Sequence, residues 1–135
     1  MRKQCVYILS IFALLFLTAC SAGKDNMEKL RDVEFTVVNP QDIPEELMGL
    51  IEEKQEKTFK LTYADKGYLY LARGYGERET SGYSVEVEEC YESEDVIGIK
   101  TNLIGPPKDE EIAKKSTYPY IVVKIEYNEK NVVFE

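Results

Sequence analysis

Three cysteines, 25 carboxylates and ten tyrosines carry most of the reactive chemistry in this 135-residue chain, and there is no histidine. Without imidazole, Ser-His and Cys-His nucleophile pairs are excluded, as is the commonest zinc ligand. A glycosidase needs two carboxyls facing each other across a cleft, and no spacing here sets up such a pair. A calcium loop of the EF-hand type needs alternating Asp or Asn oxygens around a glycine, and no segment has them. Glu92-Ser93-Glu94-Asp95 and Lys108 to Glu111 read as solvated turns. The expectation is a protein that is not an enzyme, with no catalytic residue, no metal and no cofactor.

The cysteines divide by position. Arg2 and Lys3 precede an apolar run, Val6 to Leu17, broken only by Ser10. A bilayer span needs about 20 apolar residues, so this run fits the shorter hydrophobic region of an export signal. It ends in Leu17-Thr18-Ala19-Cys20, which resembles the lipobox of bacterial lipoproteins. The alternative is an ordinary cleaved signal with a coincidental cysteine. The resemblance implies removal of residues 1–19 and a diacylglyceryl (palmitate-type) anchor on Cys20, holding the protein on the cell membrane, facing outside the cytoplasm. Two acyl chains give stable attachment, at ~0.8 kcal/mol per buried methylene. Residues 20–31 then read as the lipidated cysteine and a flexible tether, and 32–135 as one domain.

Losing Arg2 and Lys3 takes the basic residues from 17 to 15 against 25 acidic ones, and the formal charge from −8 to −10. Such a surface repels phosphate backbones, so no nucleic-acid partner is expected. With Cys20 acylated and Cys5 removed, Cys90 has no disulfide partner. The acidic neighbours Glu88, Glu89 and Glu92 would raise its pKa and disfavour the thiolate. It reads as a small buried hydrophobe. Its parity differs from that of Val85 and Val87, so burial requires a bulge near Glu88-Glu89.

The elements that would position any site are mostly strands. Val33, Phe35 and Val37 alternate with polar residues, and Asn39-Pro40 ends that run. Pro44-Glu45-Glu46 starts a short helix with Leu47, Leu50 and Ile51 on one stripe, ending between Lys54 and Lys57. Phe59 to Tyr63, a turn at Asp65-Lys66-Gly67, and Tyr68 to Arg73 read as a hairpin. Tyr83 to Val87 and Val96 to Leu103 follow. Tyr120 to Tyr127 and Val132 to Phe134 read as a closing hairpin over Asn128 to Asn131. Seven short strands with one N-terminal helix indicate a mainly β domain, an antiparallel immunoglobulin-like β-sandwich.

Gly76-Glu77-Arg78-Glu79-Thr80-Ser81-Gly82-Tyr83-Ser84, running into the alternating Val85 to Val87, resembles the core motif of the C-terminal domain of the protease complex subunit PrcB family. Gly105-Pro106-Pro107, and Ser116-Thr117-Tyr118-Pro119-Tyr120 leading into Ile121 to Lys124, agree with it. Ser81 stands where that family usually has glycine, so a left-handed backbone there would be strained. The resemblance implies a protein-binding or stabilising subunit of an envelope complex, with a protease among the candidate partners. Tyr75, Arg78, Thr80, Ser81, Gly82, Tyr83, Tyr118, Pro119 and Tyr120 become the candidate contact residues, Tyr and Arg being favoured at interfaces. The other reading of Tyr83 and Tyr120 is structural, with the ring buried and the hydroxyl bonded to a loop carbonyl. Thr80 to Tyr83 and Tyr118 to Tyr120 are also similar to two loops of chagasin-type cysteine-protease inhibitors. The Asn-Pro, the glycine-rich loop and the Trp of those inhibitors are missing. Protease inhibition through the same loops is the rival function.

Overall fold

The computed structural model describes residues 28–135. The segments expected to be an export signal and most of a tether, with Cys20, lie outside them. Among the described residues no helix is long and apolar enough to cross a membrane.

Among the described residues, eight strands form two four-stranded sheets. They are β1 (Lys29–Asp32), β2 (Thr36–Val37), β3 (Thr58–Asp65), β4 (Tyr68–Tyr75), β5 (Ser84–Ser93), β6 (Val96–Ile104), β7 (Tyr120–Glu126) and β8 (Asn131–Phe134). One sheet runs β1-β5-β6-β8 and the other β2-β7-β4-β3, and every pair is antiparallel except β6 with β8. The expected β-sandwich with one short helix is what the chain builds.

Alternation decides what the sheets enclose. On β4 and β7, Leu69, Leu71, Ile121, Val123 and Ile125 point between the sheets, where they meet Ile97, Ile99 and Cys90 from the other sheet. The opposite parity, Ala72 and Val122 with Phe59, faces the helix α1 (Glu45–Lys54), whose Leu47 and Ile51 are fully buried on it. The molecule therefore has three layers, and the i, i+4 pair of α1 closes a second apolar cluster. The hairpin β3–β4 turns on Lys66 and Gly67, with φ of 50° and 83°. Two successive positive φ values are the signature of a type I′ turn, whose twist matches the flanking strands.

Three expectations are corrected. Lys29–Asp32, whose first three residues were expected in the tether, is a strand paired with the end of β5. All four residues are exposed, so polar contacts rather than apolar burial hold it, and a hydrophobic pattern cannot reveal it. The strand expected over Val33 to Val37 shrinks to Thr36–Val37, because the chain crosses there from one sheet to the other. Val33 donates its N–H to Cys90 O at 2.9 Å, and Val37 pairs with Val123. Lastly, β7 and β8 do not form a hairpin: β7 lies beside β4, while β8 lies parallel to β6 in the opposite sheet. The Asn128 to Lys130 reversal arches between the layers.

That arch and β1 are fastened by Glu92. Its carboxylate takes Arg31 at 2.6 Å, Lys130 at 2.8 Å and Asn128 at 3.3 Å. Lys130, then Asn128 and Arg31, hold the Glu92 carboxyl down at about 2, against desolvation that opposes them. A depressed carboxyl stabilises the fold fully above its unfolded pKa near 4.5 and loses that contribution as pH falls toward 2. Glu92→Gln is expected to melt at lower temperature than the native chain at pH 7, with the gap closing between pH 4.5 and 2. Thermal melts followed by circular dichroism across that range check it; a constant gap contradicts it.

Candidate functional site

The three motif pieces picked out in the sequence meet at one end of the sandwich. Segment 76–83 joins β4 to β5, and 105–119 joins β6 to β7, so both leave the same edge of the layers. They are stitched backbone to backbone. Arg78 and Thr117 exchange N–H···O bonds of 2.8 and 2.9 Å, forming an isolated bridge, and Tyr75 N–H reaches Pro119 O at 3.0 Å. Side chains reinforce the seam: Thr117 Oγ1 donates to Thr80 O at 2.7 Å, and Ser116 Oγ to a Glu77 carboxylate oxygen at 2.7 Å.

Glycines set the local path. Gly76 and Gly82 sit at φ 78° and 95°, where a Cβ is disfavoured. A Cβ on Gly82 would come within 2.6 Å of Pro106 Cβ, so the Gly105-Pro106 piece packs directly on the first loop. Ser81 is not strained, since the only described non-glycine residue with positive φ is Lys66. Instead it clamps the long loop. Its N–H donates to Ala113 O at 2.9 Å, and its Oγ accepts from Ala113 N–H at 2.8 Å. Ser81→Gly removes one of those two bonds. A single hydrogen bond contributes about 1 kcal/mol, so the Ala113 amide should exchange roughly fivefold faster. Hydrogen exchange by NMR reads this directly; an unchanged rate would show that the hydroxyl does not hold the loop.

Tyr75 sits beneath this seam and links the sheets. Its hydroxyl lies 2.5 Å from Thr101 Oγ1 across the core, and the Arg73 guanidinium stacks 4.5 Å from its ring centroid. Arg78 Nη2 donates to Tyr75 O at 3.2 Å, and its guanidinium lies 5.7 Å from the Tyr83 ring. Tyr120 packs on the α1 cluster, where burial and then the Glu52 charge push its phenol pKa up. Ring burial is thus the feature that Tyr120 fulfils; the hydroxyl bond expected of Tyr83 and Tyr120 is made instead by Tyr75, to a side chain.

Of the nine candidate contact residues only Gly82 is exposed; the other eight are half-buried in the seam. Two exposed apolar side chains that sequence reading passed over flank it, Ile104 at the end of β6 and Ile112 in the long loop. Ile112 lies against Gly82. Its signal was present, a single large aliphatic residue in the charged stretch 108–115. Cys90 is buried between the sheets, where desolvation pushes its thiol up to about 11. The bulge its burial requires is there, a register shift between Val87 and Glu89. Among the described residues no cluster of carboxylates and thiols is placed to hold a metal ion.

A family model described as PrcB C-terminal matches residues 69–126. Residues 69–126 are thus similar to the PrcB C-terminal family. No curated protein and no solved structure matches the chain. The PrcB C-terminal match runs from β4 to β7, the two inner strands of each sheet, together with both stitched loops. The edge strands β1, β2, β3 and β8 and the helix lie outside it.

Proposed function

We propose that this protein is a non-enzymatic surface lipoprotein that binds or stabilises another envelope protein, a protease being the leading candidate, through the stitched loops 76–83 and 105–119. The family's name supports a protease-complex subunit. The observation that carries the loop assignment is geometric. Lys29 pairs with Ser93 at the far end of β5, while Ser84 at its other end adjoins the loops. Ten strand residues span about 30 Å at 3.3 Å each. A chain arriving from a lipid on Cys20 therefore joins the sandwich at the end opposite the loops, and attachment leaves them unobstructed. The half-buried seam supplies rigidity, and the exposed Ile112 and Ile104 supply apolar area within reach of a partner.

Affinity capture of the full chain from detergent-solubilised membranes tests the reading. Ile112→Asp changes an exposed side chain and leaves the seam intact, so it should retain the fold and lose a specific co-purifying protein that the native chain retains. Equal recovery of the same proteins by both overturns the loop assignment. Tight inhibition of a papain-like protease by the native chain would favour the inhibitor role instead. The membrane half is tested separately: the mature N-terminal peptide should begin at Cys20 with a diacylglyceryl mass, and a free Cys20 thiol would contradict it.

A further inference from the structure

We propose that β3 is a dimerisation edge, pairing antiparallel with β3 of a second copy of this chain. The strand ends the order β2-β7-β4-β3, so one side of it has no neighbour. The other edges are short: four residues in β1 and β8, two in β2. Natural sheets blunt their edges by shortness, charged residues, proline or bulges, and of these β3 carries only Lys60 in mid-strand. By contrast β3 has eight residues, no proline, and an unbroken register against β4.

The hairpin tells which backbone groups are free. In a two-residue type I′ hairpin the closing pair, here Asp65 with Tyr68, is hydrogen-bonded. Alternation then directs the N–H and C=O of Tyr63, Leu61 and Phe59 toward β4, and those of Thr58, Lys60, Thr62 and Ala64 out of the sheet. These four are the exposed residues of the strand.

Self-pairing selects one register. With Leu61 opposite its own copy on the two-fold axis, Thr58 meets Ala64 and Lys60 meets Thr62, so all four open residues bond among themselves. The same register sets Phe59 opposite Tyr63, two residues on the helix-bearing face of the sheet. At the flank Lys57, the residue just before the strand, comes opposite Asp65, with opposite charge. Sliding by one pair in one direction puts Lys60 against Lys60; in the other it breaks the Lys57–Asp65 match. A groove of about 510 Å³ beside Lys57 and Phe59, between α1 and the edge, leaves room for a neighbouring strand's side chains.

The axis stands perpendicular to the sheet, so both copies keep their β1-bearing sheets on the same side while their loop ends point in opposite directions along it. Pairing consumes the free edge of each copy, and assembly stops at two. Confinement to a membrane raises the effective concentration.

Oxidative cross-linking of the full chain in native membranes is the test. Leu61→Cys lies at a non-hydrogen-bonded pair, with its Cα about 4.5 Å from its copy, inside disulfide range. It should form a covalent dimer, whereas Thr58→Cys, opposite Ala64, should not. Thr62→Pro, which removes an outward N–H, should abolish the Leu61→Cys cross-link. No Leu61→Cys dimer, or equal cross-linking at both positions, overturns the pairing. A charge swap guards against folding defects. In sedimentation of the detergent-solubilised chain, Lys57→Glu should weaken dimerisation about fivefold, taking two symmetric exposed pairs at about 0.5 kcal/mol each. Adding Asp65→Lys to it should restore the native value. Failure of that rescue contradicts the register, and neither experiment depends on the loops.

Discussion

Leu47→Ala is expected to lower the unfolding free energy by about 2–5 kcal/mol, the range for removing a buried leucine side chain and leaving a cavity. Leu47 has no exposed surface, and it meets the sheet with Ile51 over Ala72, Val122 and Phe59. Stability of a domain this size is about 5–15 kcal/mol, so the loss is a large share of the whole. The result tests whether α1 is a structural third layer or an ornament on the sandwich. Urea unfolding followed by circular dichroism measures it, and a change under about 1 kcal/mol would mean that the helix docks loosely. Glu45, exposed in the same helix, is the control: Glu45→Ala should stay within about 0.5 kcal/mol of the native chain.

Gly82→Ala should have the largest effect of any single methyl added to the loops. At φ 95° an alanine stores about 1–3 kcal/mol of backbone strain, and its Cβ would sit 2.6 Å from Pro106 Cβ. Relief requires separating segment 76–83 from 105–119. Since Ser81 and Thr80 are bonded to the second loop, the seam should open with it. The expected outcome is faster amide exchange at Arg78, Ala113 and Thr117 with the strand core still protected. Protection unchanged at all three would show that the loops do not depend on this contact.

Much of this was legible because local pattern and final environment coincide. The β3–β4 hairpin was readable, since Lys66-Gly67 supplies both positive φ values that a type I′ turn needs. The helix was readable from Pro44 and the Leu47–Ile51 stripe. The β5 bulge followed from parity alone, because Cys90 must face inward with Val85 and Val87. Sheet membership was not legible. Asn128 to Lys130 signals a reversal, yet nothing local says whether the next strand returns beside β7 or crosses the core. Val132 and Phe134 pack against the inter-sheet cluster, which is equally compatible with a hairpin pattern. Strand β1 was invisible for a different reason: Lys29 and Arg31 are held through Glu89 and Glu92, partners sixty residues away. At the site, the motif named the right segments but not their division of labour. Arg78 and Thr80 look like contact residues in sequence and turn out to hold the two loops together, while Ile112 was hidden among charges.

Photo-cross-linking of the full chain in living cells addresses the central claim directly. A photoreactive residue placed at Ile112, on the loop end, should capture one discrete envelope protein; the same probe at Lys66, on the β3–β4 turn at the opposite end, should not. Capture of the same protein from Lys66, or none from Ile112, would mean that the stitched loops are scaffold and that recognition lies elsewhere.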